Sequence, residues 1–245
     1  MFVLALDTTT RRGSVALVRD GHVLDVHAGD PNVTHGQRLP SDVMMLLERN
    51  HLAARDIDLF AVASGPGSFT GLRIGIATMQ GFALANARDI VGISALDALH
   101  HSVRTHNSSL IPRNSSGEAG SIELATWMDA QRGEVFSALY RDGLVVDGPS
   151  VEKPAAILAR WAEANGGGPA RIGFAGEGAV AYADLITASL PSATIFGEVP
   201  ALAPSIALLA LERSAKEGSA PPDAIRPLYI RRPDAELARD RKAGH

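Results

Sequence analysis

The chain has 245 residues and 46% hydrophobic content, enough for one large domain or two smaller ones built around a real core. It contains no cysteine, which excludes disulfides and thiolate metal sites and fits a reducing compartment, and its net charge of −4 removes any whole-molecule attraction for nucleic acid. The longest apolar stretches are broken by Gly, Arg or Gln well short of a membrane span, and no secretion signal precedes the first strand, so a cytoplasmic location without membrane association is expected.

Residues 2–6 read as an apolar strand, 14–18 as a second and 23–27 as a third, with Asp20-Gly21 as the tight turn between the last two. A helix is expected over 37–50, where Leu39, Val43, Leu46 and Leu47 make an apolar stripe. Met44 and Met45 add flexible apolar surface beside it. A short strand at 59–63 then leads into Gly65-Pro66-Gly67-Ser68 and a helix, with Ser68 placed to cap the first turn.

Strand, glycine turn and helix start together suggest a phosphate cradle. A P-loop needs a lysine after its second glycine, however, and the only lysines are Lys153, Lys216 and Lys242. The helix carries a different clue. Gly71, Gly75 and Thr78 form a stripe of small residues, while Leu72, Ile76, Met79 and Ala83 form an apolar one. Each interior glycine costs about 1 kcal/mol of helix stability, so the stripe needs a packing reason. Either this is the central helix of its own domain, or it faces its core on one side and another protein on the other.

A strand at 90–93 and a helix from about 94 complete a βββαβαβα order. After a polar Ser/Asn-rich connector at 105–121, strands at 122–128, 135–140 and 144–146 restart the pattern, with Asp142-Gly143 as the turn. Asp7 lies thirteen residues before Asp20, and Asp129 thirteen before Asp142, an echo that two copies of one unit explain. A helix at 154–165, a strand at 171–175, Gly176-Glu177-Gly178 and a further helix continue the second copy. A last helix, 204–216, is expected to pack back on the first lobe. The expected division is a first lobe at 1–104, the connector at 105–121, a smaller second lobe at 122–203 and a tail at 217–245.

This α/β duplication points to tandem ribonuclease-H-like lobes, as in the sugar kinase, Hsp70 and actin superfamily. There the turn after the first strand holds phosphate, and Asp7, Thr8 and Thr9 have suitable groups for a vestigial phosphate loop. The alternative is that they satisfy their own turn. In the second lobe Asp129-Ala130-Gln131-Arg132 lacks a glycine where backbone must approach phosphate, and Gly166-Gly167-Gly168 precedes a strand rather than following one.

The stretch Gly65-Pro66-Gly67-Ser68-Phe69-Thr70-Gly71-Leu72-Arg73-Ile74-Gly75 resembles the signature of the TsaB (YeaZ) family. Supporting pieces are Leu4-Ala5-Leu6-Asp7-Thr8-Thr9, His35-Gly36-Gln37-Arg38-Leu39-Pro40, Gly133-Glu134-Val135-Phe136 and Pro227-Leu228-Tyr229-Ile230-Arg231. The resemblance implies an accessory subunit of the bacterial complex that places threonylcarbamoyl on the adenosine 3′ of the anticodon in tRNAs reading codons that begin with A. Its implied partners are a TsaD-like catalytic subunit and a TsaE-like ATPase. ATP and metal are then expected on those partners, with no cofactor on this chain, and tRNA is met only through the complex.

The residues agree that catalytic groups are missing. The catalytic relative holds metal through histidines at i and i+4, whereas His35 is followed four positions later by Leu39. His100 and His101 are adjacent and diverge on a helix, and they, with His22, His27, His51 and His106, read as surface or cap groups. Ser68 is no esterase nucleophile, because Pro66 stands where an elbow needs glycine. The resemblance leaves a docking surface in which the first two helices pack on the equivalent pair of the partner, or of a second copy in a homodimer. The expected interface comprises Leu39, Val43, Met44, Leu46 and Leu47 on the first helix and Phe69, Gly71, Leu72, Gly75, Thr78 and Met79 on the second. A standalone ATPase of the kinase type is the enzyme alternative, and a metal-dependent protease a weaker one. From Arg226 to Lys242, six basic residues stand against three acidic ones, the one stretch suited to touching phosphate.

Overall fold

The computed structural model describes residues 1–106, 123–164, 172–197 and 201–231. The connector from 107 on, the glycines at 166–168 and the tail beyond 231 lie outside the described residues. The first sheet holds β1 (Phe2–Asp7), β2 (Ser14–Arg19), β3 (His22–Ala28), β4 (Leu59–Gly65) and β5 (Ile90–Ser94) in the order β3-β2-β1-β4-β5. The second holds β6 (Glu123–Asp129), β7 (Val135–Arg141), β8 (Leu144–Glu152), β9 (Ile172–Ala175) and β10 (Thr194–Phe196) in the order β10-β9-β6-β7-β8. These are one topology used twice. In both units the first strand pairs antiparallel with the second and parallel with the fourth. Asp20-Gly21 and Asp142-Gly143 make the corresponding hairpin turns, all four residues being left-handed, which matches the twist of the flanking strands.

Helices α1 (His35–Arg49), α2 (Phe69–Ala85), α3 (Ala95–His106), α4 (Pro154–Ala164), α5 (Glu177–Ala181), α6 (Ala183–Ser189) and α7 (Ala203–Glu217) cover the sheets. α1 starts two residues earlier than the sequence pattern predicts, because Gln37 Oε1 reaches back to accept from the Thr34 N–H at 3.3 Å. The single helix expected after β9 is two short ones, and β10 was not foreseen, being only three residues long. β8 runs on to Glu152 rather than stopping at 146. Gly148 and Pro149 mask it in sequence, and the register shifts where they pair with β7.

The strands β1, β2, β4, β6 and β7 are buried on both faces, so alternate residues feed different cores. Leu4, Leu6, Val15, Leu17, Phe60 and Val62 meet α1 and α2 on one side of the first sheet. On the other side the strands present mostly small residues, Ala5, Ala16, Ala61 and Ala63, to Ala203, Ala207 and Ala210 of α7. Small against small lets α7 lie close, and the Ala203 N–H bonds Ser14 Oγ at 3.1 Å. This same core runs on through α3 to Leu124, Met128 and Phe136 of the second sheet, joining the two units. Trp127, Trp161 and Phe174 anchor a third core on the outer face of that sheet. No described helix is long and apolar enough to cross a membrane.

Where α3 meets β7, the Tyr140 hydroxyl donates to Asp97 Oδ1 at 2.6 Å and the His100 ring stacks on Tyr140 at 4.2 Å. His101 turns the other way, its Nδ1 lying 3.1 Å from Ser205 Oγ on α7. Neither is the surface or cap group expected. Burial, then Arg104 and His101, lower the His100 pKa to about 4 from 6.5. The unfolded chain therefore takes up a proton on this ring as pH falls below 6.5, while the folded one refuses it until about 4. The stability that the neutral ring contributes is whole above the higher value and is lost as pH falls toward the lower. Urea unfolding of the parent at pH 7 and pH 4.5 should show an acid-side loss larger than that of His100→Phe by on the order of 2 kcal/mol.

Candidate functional site

The ends of β1 and β6 open on a cleft of about 1030 Å³ between the two units, lined among others by Thr9, Thr10, Ser68, Gln131, Glu177 and Tyr229. Asp7 is buried behind Thr9 and Thr10 and is turned onto its own loop. One carboxylate oxygen accepts from the Thr9 N–H at 2.8 Å and Thr9 Oγ1 at 2.5 Å, the other from Thr10 Oγ1 at 3.0 Å. Burial pushes this carboxyl above the usual range despite those bonds. Thr8 points away from the cleft, with its Oγ1 buried and unpartnered beneath α2. Asp129 repeats the turn in the second unit, accepting from the Gln131 N–H at 2.8 Å and Gln131 Nε2 at 2.5 Å. Glu177 adds a third carboxyl near both, raised by burial and then by Asp129 and Asp7. Of these three acids, Asp129 and Glu177 line the cleft itself. Among the described residues, no group of three His, Cys, Asp or Glu is arranged to hold a metal.

The helix stripes take places different from those expected. Leu39, Val43, Leu46, Leu47, Leu72 and Met79 are fully buried, the first four and Met79 against the large-residue face of the first sheet. A sheet face carrying Leu4, Leu6, Leu17 and Phe60 has to be covered by the same chain, so these five side chains are core and not docking surface, and Leu72 is buried beside them. Gly71 and Gly75 are likewise internal. A β-carbon at Gly71 would lie 2.4 Å from the Thr8 carbonyl oxygen, and one at Gly75 would lie 2.2 Å from Thr8 Oγ1. The close neighbour these glycines admit is the β1–β2 turn of their own chain. Ser68 caps as expected, its Oγ accepting from the Gly71 N–H at 3.3 Å.

What α1 and α2 leave exposed is another set of residues. Gly36, Pro40 and Met44 recur at i, i+4, i+8 on α1, and Arg73, Ala77 and Gly81 do so on α2, with Leu84 73% exposed at its end. Phe69 is exposed at the start of α2 and Thr78 half-buried along it. The one charge in this strip is drawn aside: the Arg73 guanidinium sits 4.2 Å from the Phe69 ring and its Nε donates to Tyr229 Oη at 2.9 Å. Sequence could have separated the glycines only by their neighbours, since a β-carbon at Gly81 meets nothing within 4 Å.

A buried polar network also escaped the sequence pattern. Arg38 donates through Nη1 to Asp42 at 2.5 Å, and through Nη2 to the Arg12 carbonyl and to His35 Nδ1. His35 Nε2 then donates to the Thr10 carbonyl at 3.1 Å, and His27 Nε2 lies 3.3 Å from Asp42. His27 is thus a network member rather than the surface group expected, and His35 belongs to the same network. Burial, then the Arg38 charge, lower the His35 pKa and keep the ring neutral. The spacing His35, Arg38, Asp42 was the available signal. Of the basic tail, Arg226 donates to the Ile225 carbonyl at 3.1 Å and Arg231 to the Ala130 carbonyl at 2.7 Å, while Arg232, Arg239, Arg241 and Lys242 lie outside the described residues.

Two duplicated units around a cleft define the class, the tandem ribonuclease-H-like fold of the sugar kinases, and an N-acetylmannosamine-kinase-like protein of Listeria monocytogenes shares that fold at TM-score 0.51 and 9% identity over 88% of this chain and all of that one. The structure of YeaZ from Pseudomonas aeruginosa matches more fully, with TM-score 0.73 and 27% identity, covering 93% of this chain and 99% of that one. Residues 32–239 match the family described as TsaD, tRNA N6-adenosine threonylcarbamoyltransferase. An uncharacterized protein of Mycobacterium leprae is 31% identical over 96% of this chain, which spans 56% of that relative's length. The tRNA threonylcarbamoyladenosine biosynthesis protein TsaB of Escherichia coli is 35% identical over 141 residues, 58% of this chain and 55% of that protein. The chain belongs to the TsaD family and, within it, to the TsaB or YeaZ branch.

Two of the helical glycines should separate on substitution. Gly75→Ala, which forces a β-carbon onto Thr8, should lower unfolding free energy by about 1–3 kcal/mol. Gly81→Ala, in open space, should raise it by about 0.5–1 kcal/mol, because a helix interior favours alanine. Chemical denaturation of the two variants beside the parent measures both signs.

Proposed function

We propose that this chain is a non-catalytic subunit that pairs with a TsaD-type catalytic protein in the threonylcarbamoylation of the adenosine 3′ of the anticodon in tRNAs reading codons that begin with A. The observation carrying this reading is the exposed strip on α1 and α2. Pro40, Met44, Ala77, Gly81 and Leu84 form a surface low in charge and rich in small or flexible residues, on two helices whose other faces are fully committed to the core. A helix pair from a related fold can lie against it, and a second copy of this chain can do so in a homodimer. Of the interface first read from sequence, Met44, Phe69 and Thr78 stay part of this surface.

Family membership supports the pathway, since relatives of this branch carry the name tRNA threonylcarbamoyladenosine biosynthesis protein. The site chemistry supports an accessory role. Asp7 and Asp129 spend their carboxylates on their own turns, and His35 is held neutral between Thr10 and Arg38. ATP and metal then belong to the catalytic partner and to a TsaE-like ATPase, and tRNA is reached through the assembly. The chain acts in the cytoplasm, where tRNA modification takes place.

Ala77→Arg and Gly81→Arg should each weaken association with the TsaD-type protein by about tenfold or more while leaving the far-ultraviolet dichroism and melting temperature of the chain near those of the parent. Calorimetric titration against the purified partner reads the affinity, and parent-like binding by both variants would place the interface elsewhere. The purified chain by itself should neither hydrolyse ATP nor modify tRNA. Steady ATP turnover abolished by Asp7→Ala would instead make it an ATPase in its own right.

A further inference from the structure

The segment after α7 does not trail away from the molecule. Ala220 bridges to Ile90 at the edge of the first sheet, and Gln80 Nε2 on α2 donates to the carbonyls of Pro222 at 2.7 Å and Ile225 at 3.2 Å. The Leu228 N–H then donates to the Ser64 carbonyl at 2.6 Å, at the mouth of the cleft. This approach requires Gly65, where a β-carbon would lie 2.6 Å from the Leu228 carbonyl oxygen and where φ is +122°. Tyr229 stacks on Phe69 at 5.1 Å and accepts from Arg73, so this stretch is seated on the first unit.

Two residues further on, the chain is bound to the other unit. Arg231 donates to the Ala130 carbonyl at 2.7 Å, pairs with the Glu134 carboxylate and lies 6.0 Å from the centre of the Phe136 ring. These three partners flank the β6–β7 turn, whose backbone is left-handed at three consecutive residues, Gln131, Arg132 and Gly133. Two of the three carry side chains, a conformation that persists only where surrounding contacts over-determine it. The Ala130 N–H to Glu134 carbonyl bond at 3.1 Å closes the turn from within, and Arg231 closes it from across the cleft.

We infer that residues 228–231 form a strap across the cleft mouth, with Arg231 as the positioning residue that holds the β6–β7 turn and so sets the opening between the two units. The units are also joined by the shared core through α3, which takes in Ala130, Phe136 and Ile230 beside the strap, and by the Tyr140–Asp97 hydrogen bond. A cleft held by both the core and the strap keeps one width, and the hinge closure by which many two-lobed proteins grip a ligand is blocked. The strap also begins on Phe69 and Arg73 at the start of α2, so whatever docks on that helix meets the second unit at a fixed orientation.

The chain has no cysteine, which makes the test direct. Spin labels on Glu48→Cys in α1 and Glu163→Cys in α4, both exposed, report the distance between the units by pulsed electron resonance in the full-length protein. Arg231→Gln should broaden that distance distribution, Glu134→Gln should broaden it to a lesser degree, and Arg226→Gln, on the same segment but without contact to the second unit, should leave it as in the parent. Amide exchange at residues 131–135 should quicken by about tenfold in Arg231→Gln. If Arg231→Gln leaves both the distribution and the exchange unchanged, or if Arg226→Gln broadens the distribution equally, Arg231 does not hold the cleft and the inference fails. A variant that loses secondary structure on Arg231→Gln would be answered by Glu134→Gln alone, whose unchanged distribution would likewise overturn it.

Discussion

The contact on which the first unit depends is that of Thr8 with the backbone of α2. Two glycines one turn apart let the Thr8 carbonyl and hydroxyl sit where β-carbons would otherwise stand. That approach brings the β1–β2 turn under the N-terminal half of the helix, so the glycines, costly to helix stability, are needed for packing. With α2 fixed at this depth, Leu72, Ile76 and Met79 are driven inward, and Ala77, Gly81 and Leu84 are left outside. The inner and the outer faces of the helix thus follow from a single contact.

Most polar groups at the same turn are satisfied locally, Thr8 Oγ1 beneath α2 being the exception. Asp7 is closed by Thr9 and Thr10, and the carbonyls of Thr10 and Arg12 are taken by His35 and Arg38. A buried guanidinium without partners would cost several kcal/mol, and Asp42, the Arg12 carbonyl and His35 together offset that cost. The network fastens α1 to the turn that the glycines fasten to α2. Loop, helix pair and sheet are thereby tied into one piece.

Duplication supplies the rest of the architecture and also its asymmetry. In both units a positive-φ glycine closes the fourth strand, Gly65 as the last residue of β4 and Gly176 just after β9, each so crowded by backbone that no side chain fits. Yet Gly65 is crowded by the strap residue Leu228, and Gly176 by Trp127 of its own sheet. The first unit recruits distant chain, α7 and the strap, to cover its small-residue face and cleft edge. The second is closed by its own aromatic cluster.

Strand and helix order, both hairpin turns, the duplication and the Ser68 cap could be read from sequence, because each rests on interactions between residues close in the chain: alternation, turn chemistry, helical spacing. The family resemblance rested on the same local runs. Which face of a helix is buried is not a local property. Leu39, Val43, Leu46 and Leu47 look equally fit for a core or a partner until Leu4, Leu6 and Phe60 are seen to need them, and Gly71, Gly75 and Gly81 look alike until Thr8 arrives beneath two of them. The same holds for Arg231, which reads as one charge of a basic tail suited to phosphate until β6 and β7 bring Ala130 and Glu134 to it from about a hundred residues away. Sequence determined most of the elements and their order, β10 and the split of α5 from α6 apart, and tertiary contact alone decided which surface of each element remained to meet another molecule.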